Sequence, residues 1–184
     1  MTRVAAVDLG TNSTRLLVAD VDGGDRLEEV ARLLTITRLG EGVDERRRLL
    51  PVPIARVRNT LTEYRRALEK HGATKTLAIG TSAVRDAENG EAFLGEIEWS
   101  YGFATRLLDG DEEAALMLRG VAAGRNGSLE DGTLVVDIGG GSTELVLTTD
   151  GGTPSVASID VGCVRVTERF LAYLHDFQEK DLCL

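Results

Sequence analysis

Short runs of apolar residues, separated by polar segments that contain glycine, open the chain. Residues 3–9 and 14–21 are rich in Val, Leu and Ala and flank the polar segment 10–13, a pattern typical of a β-hairpin with a polar tip. A glycine pair at 23–24 makes a turn into a third apolar run at residues 27–37. The pattern therefore predicts three antiparallel strands.

A helical period follows the loop at residues 38–48. Apolar side chains recur at steps of three and four residues behind two prolines, which favours a long helix that begins near Pro51 and ends near Gly72. Periodicity and turn residues then predict, in chain order, a strand at 76–80, a loop entering a helix at 81–89, a helical stretch at 93–99, a strand at 104–108, a helix at 111–121, a linker at 124–132, and strands at 133–138, 144–149 and 155–161.

The opening of the chain is repeated later. VAAVDLGTNSTRLLV at residues 4–18 and LVVDIGGGSTELVL at residues 134–147 superpose with a fixed offset of 129 residues. The offset places Asp8 on Asp137, Gly10 on Gly139, Ser13 on Ser142, Thr14 on Thr143 and Leu16 on Leu145. Two copies of a strand, an aspartate, a glycine-containing turn and a second strand indicate a duplicated domain with two facing loops.

Composition narrows the function classes. The net charge of −9 excludes a generally basic nucleic-acid coat, and the 42% hydrophobic content suffices for a folded core. No run of 18 apolar residues and no charged leader is present, so we expect a soluble cytoplasmic protein without membrane contact. Cys163 and Cys183 have no spacing that suggests a disulfide framework or a zinc site, which fits a reducing cytosol. An acidic protein binds an anion only through local devices.

The strongest such device is the run Gly139, Gly140, Gly141, Ser142. Consecutive glycines cost backbone entropy that a plain turn does not need. Converging backbone amides bind phosphate oxygens, and the hydroxyl of Ser142 or Thr143 can add a donor. The alternative is a flexible hairpin tip, but the companion loop at residues 8–13 favours a ligand site.

Carboxylates flank both loops. Asp137 and Glu144 stand seven residues apart across the turn, where they could hold a hard cation that also touches phosphate. Magnesium is the natural candidate. Asp137 could instead only hydrogen-bond the turn, and Asp8 has the same two interpretations.

Two further candidates remain open from the residues alone. Glu112 and Glu113 follow the capping candidates Asp109 and Gly110, where acidic residues complement the helix dipole, although a carboxylate that faces a cleft could act as a general base. Arg85 could fork onto a phosphate or form a surface salt bridge.

Six sequence motifs, taken in chain order, carry a resemblance to a known protein family. They are DLGTNSTRLLV at 8–18, RLGEGVD at 38–44, GTSAVRDAEN at 80–89, GDEEA at 110–114, VVDIGGGSTEL at 135–145 and DVGCVRVTERF at 160–170. Together they resemble the exopolyphosphatase and guanosine pentaphosphate phosphohydrolase (Ppx/GppA) family. Either phosphate loop alone would suggest only the wider actin-like ATPase and sugar-kinase superfamily.

The resemblance implies an α/β, actin-like fold with two ribonuclease H-like lobes around a cleft. We expect residues 1–124 to form the first lobe and residues 125–184 part of the second. Family members continue for well over a hundred residues past the last motif, so the resemblance implies a chain truncated in the second lobe, with weakened or absent activity. Dimerisation would be one way to cover the exposed edge of that lobe.

The resemblance also implies roles. Glu113 is similar to the family's water-activating base, and Arg85 to an arginine that contacts the phosphate chain. The phosphate-binding residues it implies are Thr11, Asn12 and Ser13 in the first loop and Gly139, Gly140, Gly141 and Ser142 in the second; the magnesium carboxylates are Asp137 and Glu144, with Asp8 as their repeat equivalent.

The implied activity is a phosphoanhydride hydrolase that removes terminal phosphate from inorganic polyphosphate or the 5′ γ-phosphate from guanosine pentaphosphate. One alternative is an actin-like ATPase or sugar-kinase type phosphotransferase. Another is a non-catalytic module that binds polyphosphate or the nucleotide. A dinucleotide-binding Rossmann domain is disfavoured because the glycines join two strands rather than a strand and a helix.

Overall fold

Eight strands in two sheets and six helices build the part of the chain described by the computed structural model, namely residues 1–22, 27–125, 129–149 and 152–171. In chain order the elements are β1 (Thr2–Leu9), β2 (Ser13–Val21), β3 (Leu27–Ile36), α1 (Val43–Arg46), α2 (Pro51–His71), β4 (Lys75–Gly80), α3 (Ser82–Asp86), α4 (Gly90–Tyr101), β5 (Ala104–Leu107), α5 (Gly110–Gly124), β6 (Leu134–Ile138), β7 (Thr143–Leu147), β8 (Ser155–Ile159) and α6 (Cys163–Val166), which continues as a π-helical segment over Thr167–Leu171.

The first sheet has five strands in the order β3-β2-β1-β4-β5. The first three strands pair antiparallel, whereas β4 joins β1 and β5 joins β4 in parallel. Parallel neighbours need a crossover connection, and α2 lies in the connection that brings the chain back from β3 to pair β4 with β1. The sequence prediction of three antiparallel opening strands is confirmed; the predicted turn at 23–24 lies outside the described residues.

The core lies between this sheet and α2 with α4. Val57, Leu61, Tyr64 and Leu68 of α2 are buried in one cluster with the inward side chains of β1 and β2. The Tyr64 hydroxyl donates to the Thr14 carbonyl oxygen at 2.7 Å, which satisfies the only polar atom of a buried ring.

The predicted long helix is confirmed at both ends. Pro51 occupies the start of α2, and Gly72 caps its end with a left-handed φ of 70°, a conformation that glycine adopts without a Cβ penalty. Residues 38–48, predicted as a loop, include the single turn α1, and residues 81–89, predicted as a loop entering a helix, contain the short helix α3. Both are too short for a hydrophobic period to reveal them.

The second sheet has three antiparallel strands in the order β6-β7-β8. Helix α5 packs against β7 and β8, with Ala114 fully buried and Gly110 so close to Ser158 that a Cβ would lie 2.6 Å from its side chain. The opposite sheet face carries exposed apolar side chains, among them Leu134, Val136 and Ile138. The boundary at residue 124 stays a prediction, and residues 126–128 of the predicted linker lie outside the described part.

Among the described residues, no helix has the length and apolar content needed to cross a membrane.

Candidate active site

The two loops that the repeat predicts have the same backbone geometry. The Gly10 amide donates to the Ser13 carbonyl oxygen at 3.1 Å, and the Gly139 amide donates to that of Ser142 at 2.9 Å. A Cβ on either glycine would lie 2.9 Å from the acceptor oxygen. The sequence repeat is therefore a structural repeat, and the turn itself excludes a side chain at its first glycine.

The carbonyl groups of both loops are held by the segment that follows the third strand of each sheet. In the first loop, Thr11 accepts from the Gly40 amide at 2.8 Å. In the second, Gly139 accepts from the Cys163 amide at 2.9 Å, and Gly140 from the next residue along. With the carbonyls anchored in this way, each loop keeps a fixed orientation.

Loop amide groups stay available for a ligand. Within the described ranges, the N–H groups of Thr11, Asn12, Gly140 and Gly141 donate no hydrogen bond to another residue. Unpaired amides in a concave turn form an anion site. This arrangement supports the phosphate-binding interpretation of both loops.

The glycine run also allows the two loops to touch. A Cβ on Gly140 would lie 2.9 Å from Thr11 Cβ, and one on Gly141 would lie 3.0 Å from Thr11 Oγ1 and 2.2 Å from Ser82 Oγ at the start of α3. The sequence interpretation assigned these glycines to the approach of a ligand. The structure adds that two of them are needed for close packing between the loops.

A cavity of about 370 Å³ lies between the loops. Every site residue predicted from the sequence lines this cavity except Arg85, which hydrogen-bonds to the lining residue Glu113 at the edge of the cavity. The predicted residues that line it are Asp8, Thr11, Asn12, Ser13, Glu113, Asp137, Gly139, Gly140, Gly141, Ser142 and Glu144.

The start of α5 separates the roles of two neighbouring glutamates. Asp109 caps the helix by accepting from the Glu112 amide at 2.8 Å, and the Glu112 carboxylate accepts from the Asp109 amide at 3.2 Å. This reciprocal capping box occupies Glu112. Glu113, one residue on, lines the cavity instead.

Glu113 is held in an environment that favours its protonated form. Burial raises its pKa to about 7, and the charge of Glu144 adds to this increase. The Arg85 guanidinium opposes it by donating to Glu113 Oε2 at 3.2 Å while also donating to the Leu108 carbonyl oxygen at 2.9 Å. A carboxylate whose pKa lies near neutrality is suited to accept and release a proton.

The other carboxylates of the cavity, Asp8, Asp137 and Glu144, lie on the paired strands beside the two loops. Asp8 lies directly opposite Arg15 in the β1–β2 pair, and Asp137 lies directly opposite Glu144 in the β6–β7 pair. Burial raises the pKa of Asp8 to about 6, against the charge of Arg15 and with that of Asp137. Glu144 is almost fully buried and accepts from Ser158 Oγ at 3.0 Å.

Sequence reasoning missed an arginine that ties the second loop to the first sheet. Arg165, only 9% exposed, donates from Nε to the Gly141 carbonyl oxygen at 2.9 Å and pairs with Asp44 and Asp86. Arg169 also pairs with Asp44. All four of these residues stand within the motifs noted above, but nothing in a single sequence links positions that are 79 and 121 residues apart.

A second missed residue is Ser82, at the start of α3. Its hydroxyl is buried against Gly141 and is an orphan, without a hydrogen-bond partner among the residues described. The residue lines the cavity. Its position directly after a strand was the signal available from the sequence.

Comparisons with known proteins show the family of the chain. The model of the Ppx/GppA phosphatase family matches residues 17–180, and the chain belongs to that family. It is 46% identical to exopolyphosphatase 2 of Mycobacterium tuberculosis over 93% of its own length and 56% of that protein's. It is 33% identical to a guanosine-5′-triphosphate,3′-diphosphate pyrophosphatase of Photobacterium profundum over 90% of its length and 33% of the relative's.

The fold prediction is confirmed by a solved structure. The crystal structure of an exopolyphosphatase from Cytophaga hutchinsonii superposes with a TM-score of 0.82 at 30% identity, over 92% of this chain and 54% of the other. The chain thus has the α/β fold of its family. It spans about half the length of exopolyphosphatase 2 and of the solved Cytophaga exopolyphosphatase.

Proposed function

We propose that this chain carries the catalytic residues of a hydrolase that removes the terminal phosphate of inorganic polyphosphate or the 5′ γ-phosphate of guanosine pentaphosphate. The observation that carries the proposal is the contact of Glu113 with Arg85 at the edge of a cavity lined by two amide-rich loops. The names of the relatives, an exopolyphosphatase and a guanosine-5′-triphosphate,3′-diphosphate pyrophosphatase, support the same substrate class.

In this proposal, Glu113 activates water. Its carboxylate accepts a proton from a water molecule that attacks the terminal phosphorus, the bond to the bridging oxygen breaks, and the shortened chain leaves. The raised pKa makes Glu113 a stronger base than an exposed carboxylate once it is ionised. No covalent enzyme intermediate is required.

The loops and Arg85 offset the charge of the transferring phosphoryl group. The amide groups of Thr11, Asn12, Gly140 and Gly141 are held in place before substrate arrives, so they need little reorganisation when charge develops. Arg85 changes partner in this scheme: its donors turn from Glu113 to the phosphate, which leaves the base free to take a proton.

The carboxylates of the cavity fit magnesium only in part. Among the described residues, no three His, Cys, Asp or Glu side chains gather to hold a metal ion by themselves. Magnesium, however, is commonly bound by one or two carboxylates together with water and substrate phosphate. Asp8, Asp137 and Glu144 fit that mode of binding, and the bound cation would neutralise phosphate charge.

The test is phosphate release from long-chain polyphosphate and from guanosine pentaphosphate by the 184-residue chain with magnesium. Glu113→Gln keeps the size of the side chain and removes the base. Glu112→Gln is the matched control, because the neighbouring carboxylate belongs to the helix cap. We expect the parent chain to release phosphate. Glu113→Gln should lower the rate of release at least about 100-fold, whereas Glu112→Gln should change it by no more than a few fold.

Binding by calorimetry separates the alternatives. Polyphosphate binding without any turnover would overturn the hydrolase in favour of a binding module. Phosphate transfer from adenosine triphosphate to a sugar would favour a phosphotransferase. A cytoplasmic location and a homodimer remain further parts of the proposal; the latter is tested by sedimentation.

A further inference from the structure

Three consecutive arginines form an exposed corner between α1 and α2, called here the arginine corner (residues 46–48). Arg46 ends α1, Arg47 caps that helix, and Arg48 leads toward α2. All three side chains are exposed, and among the described residues none of them has a hydrogen bond, an ion pair or another electrostatic partner. Like charges at adjacent positions repel one another, and here they do so in a chain whose net charge is −9. Three other exposed arginines are each paired with a glutamate: Arg32, Arg65 and Arg66.

The backbone of the arginine corner is fixed by the segment that follows α3. The Glu88 amide donates to the Arg47 carbonyl oxygen at 2.8 Å. The Asn89 side chain accepts from the Leu49 amide at 2.8 Å and donates to the Leu49 carbonyl oxygen at 3.1 Å. Arg47 is held at a φ of 53°, a left-handed conformation that few residues with a Cβ adopt. The three side chains therefore project from a backbone that is already in place before a ligand binds.

A recess of about 400 Å³ opens beside the corner. Arg46, Arg48 and Arg58 line it, above an apolar floor from the start of α2. Arg58 is already bound by Glu96, through Nε at 2.6 Å and Nη2 at 2.7 Å, so the unused guanidinium donors of the recess are those of Arg46 and Arg48. Because a guanidinium group binds two phosphate oxygens at once, this recess suits a phosphate anion.

The arginine corner is connected to both sides of the active-site cavity. Ser82 begins α3 and lines the cavity, and Glu88, which holds the corner, follows two residues after that helix ends. Helix α3 has five residues and is therefore about 7 Å long. On the other side, Asp44 of α1 pairs with Arg165, which donates to the Gly141 carbonyl oxygen of the second loop. A surface anion site thus lies one short helix away from the cavity.

The cavity itself offers a polyanion little net attraction. It is lined by four carboxylates, those of Asp8, Glu113, Asp137 and Glu144, which repel phosphate. A cavity of about 370 Å³ also holds only the end of a long polyphosphate chain, so the remaining length lies on the protein surface.

We propose that the arginine corner is a second anion site, which binds the part of a polyphosphate chain that extends beyond the active-site cavity. Two sites that hold one chain act jointly, so affinity rises once the chain is long enough to reach both. Tripolyphosphate occupies the cavity alone and gains nothing from the corner. This inference rests on the proposed function, since it concerns how the same substrate is held outside the cavity.

The test is calorimetric binding of tripolyphosphate, of long-chain polyphosphate and of double-stranded DNA, with magnesium. The whole chain carries Glu113→Gln throughout, so that turnover does not disturb the measurement. The corner variant adds Arg46→Gln, Arg47→Gln and Arg48→Gln. The control variant instead adds three substitutions that change the net charge by the same amount at paired arginines: Arg32→Gln, Arg65→Gln and Arg66→Gln. Thermal unfolding of each variant reports on folding.

We expect the corner variant to bind long-chain polyphosphate at least about 10-fold more weakly and tripolyphosphate within about twofold of the parent. The control should stay within about threefold for both ligands. The affinity of the corner variant for long chains should also depend less steeply on salt, because fewer counterions are released. Its unfolding temperature should match that of the control, since all the substitutions lie on the surface.

Four results would overturn this inference alone: unchanged binding of long chains, an equal loss for both chain lengths, an equal loss in the control, or a loss accompanied by a lower unfolding temperature than the control's. DNA that binds the parent as tightly as long-chain polyphosphate would also overturn it, in favour of a general polyanion surface. A parent that binds neither polyphosphate would overturn the proposed function as well.

Discussion

Replacing Arg165 by methionine removes the guanidinium that joins the second loop to the first sheet. In the folded protein this group serves Gly141, Asp44 and Asp86 at once. Removing one partner of a buried ion pair costs about 3–5 kcal/mol, because the other charge stays buried without compensation. Arg169 continues to bind Asp44, so the unpaired groups are Asp86 and the Gly141 carbonyl oxygen. We therefore expect a cost near the lower end, about 3 kcal/mol.

Urea unfolding of the chain and the variant measures this cost. Arg66→Met is the matched control, because Arg66 pairs with Glu63 on the exposed face of α2 and such surface pairs contribute less than about 1 kcal/mol. The double variant Arg165→Met with Asp86→Asn should recover part of the loss, since it leaves fewer unpaired charges. A cost for Arg165→Met no larger than that for Arg66→Met would refute the assigned role of the buried network.

Two further predictions concern the cavity and its loops. Glu113 has a folded pKa of about 7 against an ordinary 4.5. Its ionisation therefore destabilises the folded state increasingly as the pH rises between these two values. In the absence of divalent cations, we expect Glu113→Gln to raise the free energy of unfolding by about 2 kcal/mol more at pH 8 than at pH 5. An equal gain at both pH values would contradict this. Gly141→Ala should lower both the unfolding free energy and phosphate release, because its Cβ meets Ser82, whereas Gly95→Ala in α4, with open space around it, should stabilise by up to about 1 kcal/mol in the same denaturation series.

The sequence sufficed for features with a local cause. The hairpins, the loop glycines and α2 follow from alternation, turn residues and a helical period, each read within a few residues of the element itself. The fixed offset between the repeats also predicted that the two loops face each other. This is why nearly all of the site residues predicted from the sequence line the cavity.

Features set by long-range packing could not be predicted. Whether Glu112 or Glu113 faces the cleft depends on the orientation of α5, which its packing on the second sheet decides. The pairing of Arg165 with Asp44 and Asp86 joins three separate segments of the chain. Neither has a local signature, because charged residues at helix ends have the same pattern whether they are solvated or buried.

Helix α5 follows the first sheet in the chain but packs on the second. The second sheet therefore sets the position of Glu113, whereas the first sheet sets the position of Arg85 on α3. Their contact is 3.2 Å, so a slide of one sheet past the other by about an ångström would end the hydrogen bond. The proton affinity of Glu113 therefore depends on how the two sheets are aligned. A spectroscopic probe of that proton would detect movements of the cleft that are too small to change its shape.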